Sequence, residues 1–169
     1  VMFLVDVSAS QDVGNSGAKK LDLCREICGV LSLSAVKEGS LVGTIAYSNR
    51  REKFIKPGKG MQQAYRIITE LYNLKNQSFQ TDLNAAIHFT MTMLKRKSVV
   101  IILSDFIDQD YDQALRTLSK KHDVVVIHLM DRREENFPKL GIVPLYDPEL
   151  RQRVWMNTSL PGFSRMIRG

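Results

Sequence analysis

The chain has 169 residues, the size of one ordinary domain, and is 44% hydrophobic and 25% charged; that balance supports a buried core and excludes a disordered chain. No apolar stretch approaches the roughly 20 residues of a membrane helix, and no signal-peptide pattern opens the sequence. A net charge of +6 permits an acidic partner, but the basic residues are scattered among Arg50-Arg51, Lys95-Arg96-Lys97, Lys120-Lys121 and Arg132-Arg133, which argues for solvated loops and helix ends over a nucleic-acid stripe.

Residues 1–5 are an apolar run and read as a buried strand. Residues 14–17 make a turn into an amphipathic helix over 18–36, which Lys37-Glu38-Gly39 ends. Cys24 and Cys28, the only cysteines, fall four apart on its apolar face with Leu21 and Leu31, a pattern of reduced core thiols in a cytoplasmic setting. A second strand covers 41–47, and residues 51–56 pair with it as a short edge strand closed by Pro57-Gly58. The next helix runs over 61–72, with Ala64, Ile67, Ile68 and Leu71 on one face.

A polar loop over 73–80 delivers Thr81 to a helix over 82–95, with Thr81 as N-cap and Asp82 in the first turn. The nearly continuous apolar run 98–103 reads as a parallel strand covered on both faces. A helix over 112–121 follows, then an apolar strand over 123–130 broken only by His128. Beyond Asp131 the chain is richer in Pro, Gly and charge, with strand patterns at 143–146 and 153–156 suited to a hairpin or an edge strand. Alternating strands and helices give an α/β, Rossmann-like, open and mostly parallel sheet with helices on both faces. The sequence reads as a single domain, 1–169, excised from a longer polypeptide.

Ligands of such sheets bind outside the carboxyl ends of the strands, where strand order reverses. Asp6-Val7-Ser8-Ala9-Ser10 leaves the first strand, and Ser104-Asp105 leaves the strand over 98–103. Two hydroxyls and a carboxylate spaced two residues apart can converge on a hard cation that prefers oxygen ligands, or can simply cap a turn and a helix. A second carboxylate in matching context and an intervening hydroxyl, Thr81, favour the cation.

These five positions resemble the metal-ion-dependent adhesion site of von Willebrand factor A domains: Asp-x-Ser-x-Ser, a distant Thr and a distant Asp. The likeness extends to a bacterial von Willebrand A-like family found beside MoxR-type AAA+ ATPases. It is carried by Val42-Gly43, Thr81-Asp82-Leu83, Leu103-Ser104-Asp105-Phe106, His122-Asp123-Val124 and, in the tail, Asp131, Glu134, Pro138, Gly141, Asp147 and Glu149. The resemblance implies a Mg²⁺ (or Mn²⁺) site with Ser8, Ser10 and Thr81 as direct ligands, and with Asp6 and Asp105 acting through water or exchanging roles. It implies a protein ligand that supplies an Asp or Glu carboxylate, and an adaptor role beside a MoxR-type ATPase. The parent of such a domain can be membrane-associated.

Two rival readings use the same residues. A basic-surface binding module would carry a vestigial site. A Mg-dependent phosphohydrolase would use a metal-bound water, yet neither aspartate has a second acidic residue two positions on, and no Walker-type loop appears. His88, His122 and His128 sit in a helix, before a strand and inside one, which suits structural roles better than catalysis. Trp155 reads as edge packing, and Asp108 and Asp110 as a solvated loop. The sequence therefore points to a non-enzymatic binding domain.

Overall fold

The structure is a computed structural model, and it describes residues 1–8, 20–74, 78 and 80–130, together with two strands at 142–147 and 152–157. The chain forms two compact units, Val1–Leu129 and Met130–Gly169. The first unit runs β1 (Met2–Asp6), α1 (Lys20–Lys37), β2 (Val42–Tyr47), β3 (Arg51–Gly58), α2 (Met61–Asn73), α3 (Leu83–Met93), β4 (Val99–Ser104), α4 (Asp112–Lys121) and β5 (Asp123–His128). In the second, β6 (Ile142–Asp147) and β7 (Gln152–Asn157) pair antiparallel, with Ile142 opposite Asn157 and Asp147 opposite Gln152. These strands realise the hairpin expected there.

The first unit is an α/β fold built on one mostly parallel sheet, ordered β3-β2-β1-β4-β5. Strand β1 lies between β2 and β4, parallel to both, while β3 is the single antiparallel strand and forms one edge. The alternation of side chains across each strand divides the interior into two layers. Phe3, Val5 and Leu103 face a core with Leu21, Cys24 and Cys28 of α1 and Ile67 and Leu71 of α2. Met2, Leu4, Val100 and Ile102 face the other, with Leu83 and Ile87 of α3 and Leu118 of α4. Covering both faces explains why β1 and β4 are apolar runs and not alternating patterns. Burial pushes the Cys28 thiol up to about 12 and raises Cys24 as well, so both remain protonated core thiols.

Three local details depart from the sequence pattern. Strand β3 continues through Pro57 to Gly58 because it is an edge strand, where a missing amide costs no ladder bond. Asp82, not Thr81, is the N-cap of α3: its Oδ1 accepts the Ala85 amide at 2.7 Å. Strand β5 is the other edge of this sheet, with Val125 and Val126 each 47% exposed, so an apolar run here does not mean cover on both faces.

The chain passes from β1 through α1 to β2 on one side, and later returns to place β4 on the other side of β1. Strand order thus reverses between β1 and β4, the strands that carry Asp6 and Ser104-Asp105. Register Val5 with Leu103 brings those residues out side by side.

At the far end of β2, a Cβ on Gly43 would lie 2.8 Å from the Ile55 carbonyl oxygen and 2.9 Å from the Pro57 nitrogen, both of β3. Backbone cannot yield there as a side-chain tip can. Gly43→Ala is expected to destabilise the protein by about 1–3 kcal/mol in urea denaturation; an unchanged midpoint would show that β3 is not held this close.

Candidate functional site

Asp6 ends β1 with no exposed surface, and each of its carboxylate oxygens has its own donor. The Ser8 amide donates to Oδ1 at 2.9 Å, the short-range turn that an Asp two residues ahead favours. The Ser104 hydroxyl donates to Oδ2 at 2.8 Å and itself accepts the Phe106 amide at 3.0 Å. Ser104 therefore laces the end of β1 to the loop after β4. Burial raises the Asp6 carboxyl above its ordinary range, bonds from Ser8 and Ser104 oppose that rise, and the neighbouring charge of Asp105 adds to it.

Asp105 is 5% exposed, and its groups are also spoken for. Oδ1 accepts the Ile107 amide at 3.2 Å, and Oδ2 lies 3.4 Å from Nζ of Lys20, itself 7% exposed in the first turn of α1. The Asp105 carbonyl oxygen is 2.9 Å from Nε2 of His128 at the end of β5. The next residue, Phe106, has φ +57°, a left-handed conformation that is costly for a large side chain. Its ring is held edge-on by His128 at 5.7 Å and tilted against Tyr111 at 5.8 Å. This kink turns the chain away directly after Asp105, so the carboxylate stays at the crevice while the loop leaves it.

Thr81 reaches the same end of the sheet. The Asp82 amide donates to the Ser48 carbonyl at 3.0 Å, just beyond β2, and the Val7 amide donates to the Tyr47 carbonyl at 2.8 Å. Asp108 also ties this corner, because its Oδ2 accepts the Leu83 amide at 2.7 Å. It is a second anchor for the α3 N-terminus and not a solvated loop residue. The structure thus brings Asp6, Ser8 and Asp105 to one crevice and places half-buried Thr81 on its β2 side. Ser10 lies outside the described residues.

Lys20, Ser104 and His128 belong to the site although the Asp-x-Ser-x-Ser pattern does not point to them. Lys20 did carry a signal: it stands four and eight residues before Cys24 and Cys28, on the buried face of the same helix. A lysine in register with core cysteines needs a buried anion, and Asp105 supplies it.

Hard-cation chemistry fits this donor set. Two nearly dry carboxylates share a crevice with serine hydroxyls, and the Lys20 ammonium lies against only one of them. Among the described residues no group of three or more His, Cys, Asp or Glu could hold a metal ion, so a cation here would rely on hydroxyl oxygens as well as carboxylates.

Residues 1–167 match the family described as "Protein of unknown function DUF58". The chain belongs to that family. Its curated relatives include the uncharacterized proteins Rv1480 of Mycobacterium tuberculosis and Mb1516 of Mycobacterium bovis, each 24% identical over 149 residues. The match covers 86% of this chain and 47% of either relative, so the chain spans about half their length. Among solved structures, an aerotolerance-related membrane protein from Bacteroides fragilis superposes with a TM-score of 0.62 at 14% identity, over 99% of this chain and 87% of that one. BatB from Bacteroides thetaiotaomicron gives 0.60 at 13% identity, over 98% and 83%. Manganese-loaded TRAP protein from Plasmodium vivax gives 0.55 at 20% identity, over 76% and 56%. At such identities the likeness concerns the fold alone, an α/β fold of the von Willebrand A-like kind.

Lys20→Met leaves the Asp105 carboxylate, 2% exposed, without its cation. In EDTA this variant should lose about 3 kcal/mol of stability in urea denaturation, since removing one partner of a buried pair strands the other. A loss below about 0.5 kcal/mol would mean that the pair does not form in solution.

Proposed function

We propose that this domain binds a protein partner through a divalent cation, Mg²⁺ or Mn²⁺, in the crevice between β1 and β4. Ser8, Ser10 and Thr81 would hold the ion directly, with Asp6 and Asp105 acting through water or by exchange. A cation held mainly by neutral hydroxyls supplies an electrophilic position suited to an Asp or Glu carboxylate of the partner. The observation that carries this reading is the pair of buried carboxylates, Asp6 and Asp105, at the point where strand order reverses. Open α/β sheets bind their ligands at that point, outside the carboxyl ends of the strands. The fold shared with a manganese-loaded protein lends further support.

The chain's own residues favour binding over catalysis. The Ser104 hydroxyl donates to Asp6 and not to a histidine, and Nε2 of His128 is engaged by the Asp105 backbone carbonyl. Both aspartates are held by backbone amides at short range, an arrangement that fixes carboxylates in place. The domain would serve as an adaptor beside a MoxR-type AAA+ ATPase in protein maturation or remodelling, a role drawn from the family resemblance. No helix among the described residues is long and apolar enough to cross a membrane. A membrane-associated parent is in keeping with the fold neighbour named as a membrane protein.

Calorimetric titration with Mn²⁺ and Mg²⁺ tests the site. The wild type should show saturable one-site binding, and Asp6→Ala should weaken it by about 10–100-fold, the range seen when groups that orient metal ligands are removed. Identical isotherms for the two proteins would overturn the assignment.

A further inference from the structure

The amino end of the parallel sheet, opposite the candidate metal site, gathers charge of one sign. Met2 pairs with Gly43 and Val100, Val42 with Gly58, and Val99 with Asp123. The connections at 37–41, 56–61, 93–99 and 120–123 therefore all open at this end. They present eight exposed basic side chains, namely Lys37, Lys56, Lys59, the run Lys95-Arg96-Lys97 and the pair Lys120-Lys121. Only two acidic ones, Glu38 and Asp123, stand among them, and Asp123 pairs with Lys97 at 2.8 Å. Runs that look scattered along the sequence are collected by the topology on one surface.

Helix capping explains part of this charge. Lys37, Lys120 and Lys121 lie in the last turns of α1 and α4, where cations suit the helix dipole. Lys56 and Lys59 do the opposite, since they precede Met61 at the amino end of α2, where a cation is disfavoured. The surface also exposes apolar side chains between the lysines: Leu41 is 47% exposed, Met93 41%, and Met61 and Val99 37% each. Four separate connections thus supply cations, and three of them supply protruding hydrocarbon as well.

We propose that this end is a docking surface for an anionic lipid membrane. Headgroup phosphates match the basic side chains, while Leu41, Met61, Met93 and Val99 enter the boundary between headgroups and acyl chains. A polyanion such as DNA matches the charge alone and gives the four apolar side chains no role. Docked in this way, the domain turns the crevice of Asp6 and Asp105 away from the lipid, toward a partner in solution.

The test is co-sedimentation of the whole 169-residue chain with vesicles of phosphatidylcholine alone or with about one third phosphatidylglycerol. Binding should require the anionic lipid and fall as salt is raised. A Lys59→Glu, Lys95→Glu, Arg96→Glu variant should bind at least about a hundredfold more weakly, at roughly fivefold for each basic side chain lost. All three side chains are exposed, so its thermal melt should match the wild type. A Leu41→Ser, Met93→Ser variant, with the charges intact, should also lose affinity for vesicles. The proposal fails if anionic vesicles are not bound even at low salt, or if neutral vesicles bind equally well. It fails too if the charge-reversal variant keeps its affinity, or if duplex DNA is bound more tightly than the vesicles.

Discussion

Two carboxylates sit nearly dry at one end of a parallel sheet, and much of the local structure follows from keeping them there. An ionised carboxylate taken out of water costs several kcal/mol unless donors and countercharge replace its hydration. Asp6 has the Ser8 amide and the Ser104 hydroxyl; Asp105 has the Ile107 amide and the Lys20 ammonium. The left-handed turn at Phe106 belongs to the same arrangement, because the Phe106 amide is bound by the hydroxyl that serves Asp6. Their retention in so dry a setting is the observation that motivates the cation proposed for this crevice.

The charge of the first unit is polarised along the strands. Asp6, Asp82, Asp105, Asp108, Asp110 and Asp112 cluster at the carboxyl end, while the lysine-rich connections lie at the amino end. A field of that shape concentrates cations near the crevice and anions at the opposite surface, independently of any single contact. The helices α1, α3 and α4 all start at the acidic end and finish at the basic end, so each set of side-chain charges sits at the dipole end that stabilises it, while the dipoles offset part of the side-chain field. The fold thereby separates two kinds of surface that the sequence mixes.

The element order was largely legible because period and length speak plainly in an open α/β sheet. The apolar runs of β1 and β4 and the bounds of α4 are examples. Asp6 and Asp105 were visible as carboxylates directly after such runs, and their adjacency follows from topology. What the pattern misplaced were matters decided by tertiary contact. Thr81 and Asp82 are both good caps, and the tie of the Asp82 amide to Ser48 selects the second. An apolar β5 could be central or at an edge, and only strand order separates the two. Lys20 lay unread on an apolar helix face because a lysine there is ordinarily a fringe residue, unless a buried anion waits opposite.

The measurement that bears most directly on the account is an anomalous difference map at the manganese edge, from crystals of the chain grown with Mn²⁺. The account predicts a single strong peak among the oxygen atoms of Asp6, Ser8 and Asp105, with Thr81 on its β2 side. Its central claim would be contradicted by a map with no peak at the crevice under saturating Mn²⁺ and with Lys20 still against Asp105.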